Sequence, residues 1–368
     1  MDASLYRDRI QRVRAAMDRD DIDLFLLGPS PDLFYLIGYG GRPDERLLAL
    51  VLPRTGEPFL IANLLYQAQL EALPLEGPPL LWKDGEDPFA LLKTQIAHRS
   101  LAHKRWAVNE GLPALFTVPL GALFKGDEFT LGSSIMKAQR QYKDPVELDK
   151  IRRACRASDE ALGRLIQQGD YWLGKTERDF SEALASELGR LGLEQYGASV
   201  AVGPNAAIPH HHTGTAPIQR GACLLVDFWA SLEGYFSDCT RTFHFGEPEE
   251  DFKTIHALVL QAQEAAQMAA VPGSTLSDID GAARSVIEEA GYGEYFTHRT
   301  GHGLGLEVHE GDSVNRGVRT PLAPGMVFSI EPGIYLPGRF GVRIENLVAA
   351  TEGPPEIFHH YPRELMIL

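Results

Sequence analysis

An α/β domain followed by an α+β domain is the fold class the sequence predicts. Three observations predict it. Short apolar strands alternate with helical stripes as far as Leu131. Asp144-Pro145 then opens a strong helix. Beyond it, two strand–turn–strand segments carry acids inside otherwise apolar runs.

Taken in order, Leu5, Ile10, Val13 and Met17 recur at near-helical spacing among Arg and Asp, which predicts an amphipathic helix over 5–17. IDLFLLG (22–28), LLALVLP (47–53) and PFLIA (58–62) read as strands, and WAVNEG (106–111) as a strand entering a turn. Residues 64–72 and 88–97 read as helices, and alternation of this kind implies a layered α/β domain. The pattern weakens between Leu131 and Tyr142, so the boundary is expected near residue 135, with domains at 1–135 and 136–368.

In the second domain Pro145 sits at a first helical position with Glu147 in the first turn. Further helices are expected over 178–191, 249–270 and 276–290, the last stopped by Gly291. ACLLVDF (222–228) and SDCTRTFHF (237–245) flank a turn at Gly234. GMVFSIEPG (325–333) and GVRIENLVA (341–349) flank another at Pro337-Gly338. Both read as hairpins, one a structural echo of the other.

The chain has 368 residues with 35 Lys and Arg against 50 Asp and Glu, a formal charge of −15 that makes nucleic acid an unsuitable partner. Three cysteines without CxxC spacing fit a reducing compartment. With no apolar signal core and no run long enough to span a bilayer, the expectation is a cytoplasmic protein without membrane contact.

Asp227 and Asp238 lie on the first hairpin, Glu331 and Glu345 on the second. Burying a carboxylate is costly unless something pairs it. Arg241 and Arg343 are the ordinary ion-pair partners. Four such acids, joined by His302 in the glycine-rich loop GHGLG (301–305), favour a metal centre instead. One imidazole among carboxylates suits Mn, Co or Fe, with Zn an alternative. Four carboxylates exceed the charge of one divalent ion, so two divalent metal ions are expected.

These residues resemble the superfamily of prolidase, aminopeptidase P and methionine aminopeptidase. The matching segments are PNAAIPH (204–210), GYFSDCTRT (234–242), GHGLGLEVHE (301–310), SIEPGIY (329–335) and VRIEN (342–346), in family order. SPDLFYLIGY (30–39) resembles the family's N-terminal domain. The resemblance implies a creatinase/prolidase-like α/β domain and an α+β "pita-bread" catalytic domain. It implies Asp227 on one metal, His302 and Glu331 on the other, and Asp238 and Glu345 bridging. His210 and His309 match the two non-ligand histidines that steady an oxyanion and move protons, with His211 and His212 as alternatives to His210. Glu331 is expected to pass a proton from water to the proline nitrogen. Trp229 departs from the glycine frequent in the family; core packing is its expected role, the pocket edge the other reading.

The implied activity is hydrolysis of the Xaa-Pro bond in a small peptide with proline second, most of all in dipeptides. Aminopeptidase P action on longer peptides and an inactive binding protein are the alternatives. Arg343, Arg42 and Arg46 are candidate readers of the substrate carboxylate. A homodimer is expected.

Overall fold

The structure, a computed structural model, describes residues 3–73, 75 and 77–368. The chain divides into two compact units at Arg140/Gln141.

The first unit runs α1 (Ala3–Arg19), β1 (Leu24–Leu27), α2 (Pro31–Ile37), β2 (Ala49–Pro53), β3 (Phe59–Asn63), α3 (Gln67–Leu70), β4 (Leu80–Trp82), α4 (Pro88–His98), β5 (Arg105–Val108), α5 (Ala114–Leu123), β6 (Glu128–Leu131) and α6 (Ser133–Arg140). The strands form one sheet in the order β4-β3-β2-β1-β5-β6. β1 pairs antiparallel with β2 and parallel with β5. Every residue of β1 and β2 is buried, as expected of strands covered on both faces. Tyr6, Ile10, Val13 and Met17 bury the stripe of α1. The weakly patterned stretch before Tyr142 is a helix after all: α6 buries Ile135 and Met136 and packs on α1, so this unit extends past residue 135.

The second unit opens with α7 (Pro145–Ile166), α8 (Glu177–Arg190), β7 (Tyr196–Val202), β8 (Cys223–Leu232) and β9 (Tyr235–His244). A second run follows: α9 (Glu250–Ala269), α10 (Leu276–Glu289), β10 (Gly301–His302), β11 (Ser313–Val314), β12 (Val327–Ile330), β13 (Gly333–Leu336), β14 (Phe340–Arg343), β15 (Asn346–Ala349) and β16 (Glu356–Ile357). Each run is a helix pair followed by an acid-bearing hairpin. The echo reaches the caps: Thr176 with Asp179 closes a capping box on α8, and Thr275 with Asp278 closes the same box on α10. Asp144 and Glu147 close a third on α7, behind Pro145. One core cluster joins α7 and α8 to the β7–β8–β9 sheet, and another joins α9 and α10 to the second hairpin.

Candidate active site

Both hairpins fold in ways that aim their acids inward. In the first, Glu233 and Gly234 take φ of 50° and 85°. Positive φ at both turn positions matches the twist of the flanking strands. The resulting register sets Asp227 opposite Thr240 and Trp229 opposite Asp238. Cross-strand partners share a face, so these four point one way. Val226, Phe228 and Cys239 point the other way into the core.

The second hairpin is interrupted. β12 pairs with β15 and β13 with β14 in one common register, in which Glu331 faces Glu345. Pro332 has no N–H to give the ladder, and opposite it the Ile344 amide lies 3.5 Å from the Pro332 carbonyl. The two acids bond elsewhere through their backbones. The Glu331 amide donates to Thr300 O at 2.8 Å and the Glu345 amide to Thr240 O at 3.1 Å.

The glycine loop completes the cluster. A Cβ on Gly301 would lie 1.9 Å from the Ser329 carbonyl, so only glycine lets the loop sit this close to β12. The His302 amide donates to Ser329 Oγ at 3.1 Å, and Ser329 Oγ donates to Glu331 Oε1 at 3.0 Å. His302 Nε2 lies 3.2 Å from Glu331 Oε1 and 3.6 Å from Asp238 Oδ2. Its Nδ1 faces the Gly303 carbonyl at 3.2 Å, the outer bond that orients a ligating imidazole.

Electrostatics and satisfaction test the site for a metal. Asp238, His302 and Glu345 each place a ligand atom within 4.8 Å of the others. Burial, then the neighbouring carboxylates, raises Asp238 and Glu345 well above the usual carboxylate range. Thr240 Oγ1 donates to Glu345 Oε2 at 2.7 Å, but Glu345 Oε1 is buried without a hydrogen-bond partner. A crowded acid cluster with an orphaned oxygen fits a cation set. Glu331 behaves oppositely: burial pushes it up, yet the His302 hydrogen bond and nearby positive charge bring it to about 2.

The cluster lines a cavity of about 740 Å³, the scale of a small-ligand site. Asp227, Asp238, His302, Glu331 and Glu345 all reach it, as do His210, His309 and Arg343. The His309 ring stands edge-on to His302 with centroids 4.2 Å apart. Burial first, then positive neighbours, lowers His309 to about 4, leaving a neutral imidazole at pH 7. Of the other two histidines in the triplet, His211 turns away to Glu177 at 2.9 Å, and His212 is exposed.

Several expectations need correction. Arg241 pairs with neither aspartate; it donates to the carbonyls of Thr240, Glu345, Tyr361 and Pro362 and to Asn346 Oδ1. Arg343 reaches across to Asp227 rather than to an acid of its own hairpin. Trp229 is half-buried and lines the cavity, so it is not a core residue. Apart from these corrections, Arg42 is exposed, and Arg46 holds Asp84 with Nε and Nη2, both at 3.0 Å.

Sequence reading missed His298 and Arg299 in the cavity wall and Tyr335 behind it. Tyr335 Oη lies 2.7 Å from His298 Nε2 and accepts from Arg343 at 2.8 Å. A His-Arg pair just upstream of the GHG loop was the available signal. Glu177 was also missed. Fully buried, it accepts from the Val202 and Gly214 amides and Asn205 Nδ2, all at 2.8 Å, besides meeting His211.

Known proteins resemble this chain along its whole length. The profile described as metallopeptidase family M24 matches residues 149–352, and that of the creatinase/prolidase N-terminal domain matches 9–142. The probable dipeptidase PepE of Mycobacterium tuberculosis is 37% identical over 372 residues, covering 100% of this chain and 98% of that protein. An Xaa-Pro dipeptidase of Lactobacillus delbrueckii subsp. lactis is 35% identical, covering 98% of each chain. The crystal structure of recombinant prolidase from Thermococcus sibiricus superimposes with a TM-score of 0.93 at 34% identity, covering 100% of both. With a creatinase/prolidase N-terminal domain and a pita-bread catalytic domain, the chain belongs to metallopeptidase family M24, hydrolases that use divalent metal ions.

Proposed function

We propose that this enzyme hydrolyses the Xaa-Pro bond of dipeptides, with Asp227, Asp238, His302, Glu331 and Glu345 holding two divalent ions. The convergence of these five side chains on one cavity with His210 and His309 supports the reading. The names of the L. delbrueckii and T. sibiricus relatives support the substrate class. Asp227, Asp238, His302, Glu331 and Glu345 would hold the ions between them. Mn is the ion proposed, ahead of Co, Fe or Zn, because the donor set is oxygen-rich with a single imidazole. When bound, such a pair polarises the scissile carbonyl and acidifies a water.

The chain's own groups do the rest. Glu331, whose Oε1 accepts from Ser329, would take a proton from water and return it to the proline nitrogen. That nitrogen bears no hydrogen in the peptide, so it leaves only once protonated. His309, neutral near pH 7, can donate an N–H to the developing oxyanion, and His210 borders the same space. Arg343 is proposed to read the terminal carboxylate: its bonds to Thr240, Tyr335 and Asp227 use three of the five N–H donors of a guanidinium. Arg42 and Arg46 are the further candidates.

A homodimer in the cytoplasm, without nucleic-acid or membrane partners, completes the proposal. Three free, buried cysteines support a reducing compartment, and among the described residues no helix is long and apolar enough to cross a membrane. The test is proline release from Xaa-Pro dipeptides beside cleavage of Xaa-Pro-Yaa tripeptides, by metal-stripped protein with and without Mn²⁺. Mn²⁺-dependent cleavage of dipeptides alone is expected. A preference for tripeptides would move the assignment to aminopeptidase P, and no cleavage with any metal would leave a binding protein.

A further inference from the structure

Trp229 sits beside the acid cluster, while its chain neighbours Phe228 and Ala230 face the core. Its cross-strand partner is Asp238, and Asp227 lies two residues before it on the same face. It contributes a large aromatic surface to a cavity whose other lining is dominated by charged and imidazole groups; Pro209 and Val308 are the remaining apolar side chains there. Its direction is set by Gly197, its partner on β7. A Cβ on Gly197 would lie 2.3 Å from Trp229 Cζ2, so the indole lies over that glycine.

This tilt separates two ends of the cavity. In the β7-β8-β9 sheet, Arg343 bonds Thr240 on β9 and Asp227 on β8. The indole leans the opposite way, over β7. Arg343, the proposed carboxylate reader, and Trp229 thus lie toward different strands of the same cavity wall.

We propose that Trp229, seated on Gly197, is the specificity-determining wall for the residue before the scissile bond and selects dipeptides whose first residue is apolar. The inference rests on the peptidase reading above and names the first residue of its substrate. An apolar wall discriminates by buried surface, so leucine should be favoured over glycine by about tenfold or more in kcat/KM.

The experiment compares kcat/KM for Leu-Pro and Gly-Pro in the Mn²⁺-loaded wild type, W229A, W229F and G197A. The Leu-Pro to Gly-Pro ratio should fall about tenfold in W229A, mostly through KM for Leu-Pro, and be largely kept in W229F. G197A leaves residue 229 unchanged but unseats the indole, and should shift the same ratio. Calorimetric affinities for free leucine and glycine should converge in W229A. Equal losses on both substrates, with the ratio and the two affinities unmoved, would overturn the proposal and make Trp229 a support for its strand. Should the wild type cleave only dipeptides without proline, the proline reading falls, and the ratio of Leu-Ala to Gly-Ala decides the Trp229 inference by itself.

Discussion

Arg343 Nη2 donates to Asp227 Oδ2 at 2.7 Å, joining the second hairpin to the first. The same guanidinium donates through Nε to Thr240 Oγ1 at 3.2 Å, directly across the ladder from Asp227. With the Thr240–Glu345 and Arg241 bonds, this side chain ties the two acid-bearing hairpins together.

Loss of that fork should loosen the site. R343M leaves Asp227 facing its neighbouring acids without its cation; because Asp227 keeps 26% of its side chain exposed, the cost is smaller than the about 3–5 kcal/mol of a fully buried pair. R343K keeps the charge but not the three-way geometry. We expect a lower melting temperature in R343M than in R343K and weaker metal binding in both, read by calorimetry. Equal melting temperatures for R343M and wild type would show that the link is not structural.

Metal uptake should release protons. Asp238 and Glu345 are raised by burial and then by neighbouring carboxylates, so in the metal-stripped protein protons compete with the cation. Affinity should therefore fall as pH falls, and the binding enthalpy should depend on the buffer's ionisation enthalpy. The stability sign also follows. A carboxyl whose folded pKa lies above its unfolded value contributes stability below about pH 4, which is lost as pH rises towards the folded pKa. Metal-stripped protein should lose stability from these two groups on going from pH 5 to 8, and metal should restore it. A buffer-independent enthalpy would refute the coupling.

Glu177 should govern His210 from a distance. Its carboxylate ties Val202 to Gly214, the two ends of the loop that carries His210. Burial raises its pKa, but bonds from Asn205, His211 and the backbone outweigh that and hold it low. Its contribution is present above the unfolded value near 4.3 and disappears as pH drops through the lower folded value. E177A orphans several buried donors, at about 1–3 kcal/mol each. E177Q keeps the shape, so its kcat should fall further than its KM rises. A KM effect alone would argue against positioning.

H210A and H309A should each lower kcat by about 10²–10³ while metal content, measured by atomic emission, stays near wild type. Loss of metal in either variant would make that histidine a ligand.

The double variant R42A/R46A tests those two as carboxylate readers. Dipeptide preference over tripeptides should weaken if either acts; an unaltered preference assigns the task to the cavity's own cations.

The site was legible in the sequence wherever its signal was local. Acids inside apolar strands, Pro332 after Glu331 and the glycines around His302 each carry their reason within a few residues. Parity alone places Trp229 on the face of Asp227, a signal outweighed by the expectation that tryptophan packs in cores. What stayed hidden depends on distant chain. Arg343 and Asp227 are separated by 116 residues, and Glu177 meets loop atoms 25 to 37 residues away. In the fold, β7 is exposed at its first residue and fully buried only over its last three, and α6 is only 8 residues long with Ile135 and Met136 as its buried apolar side chains, too short for its period to stand out.

The gap at Glu331-Pro332 and Ile344-Glu345 makes the second hairpin a two-scale ruler. The ladders on either side share one register, so an inserted residue between them would have to slip one ladder against the other or rotate an acid to the wrong face. The hairpin tip around Gly338 faces no such constraint. Length changes should therefore be tolerated at the tip and lethal to metal retention in the gap, which makes the tip the place to graft a reporter.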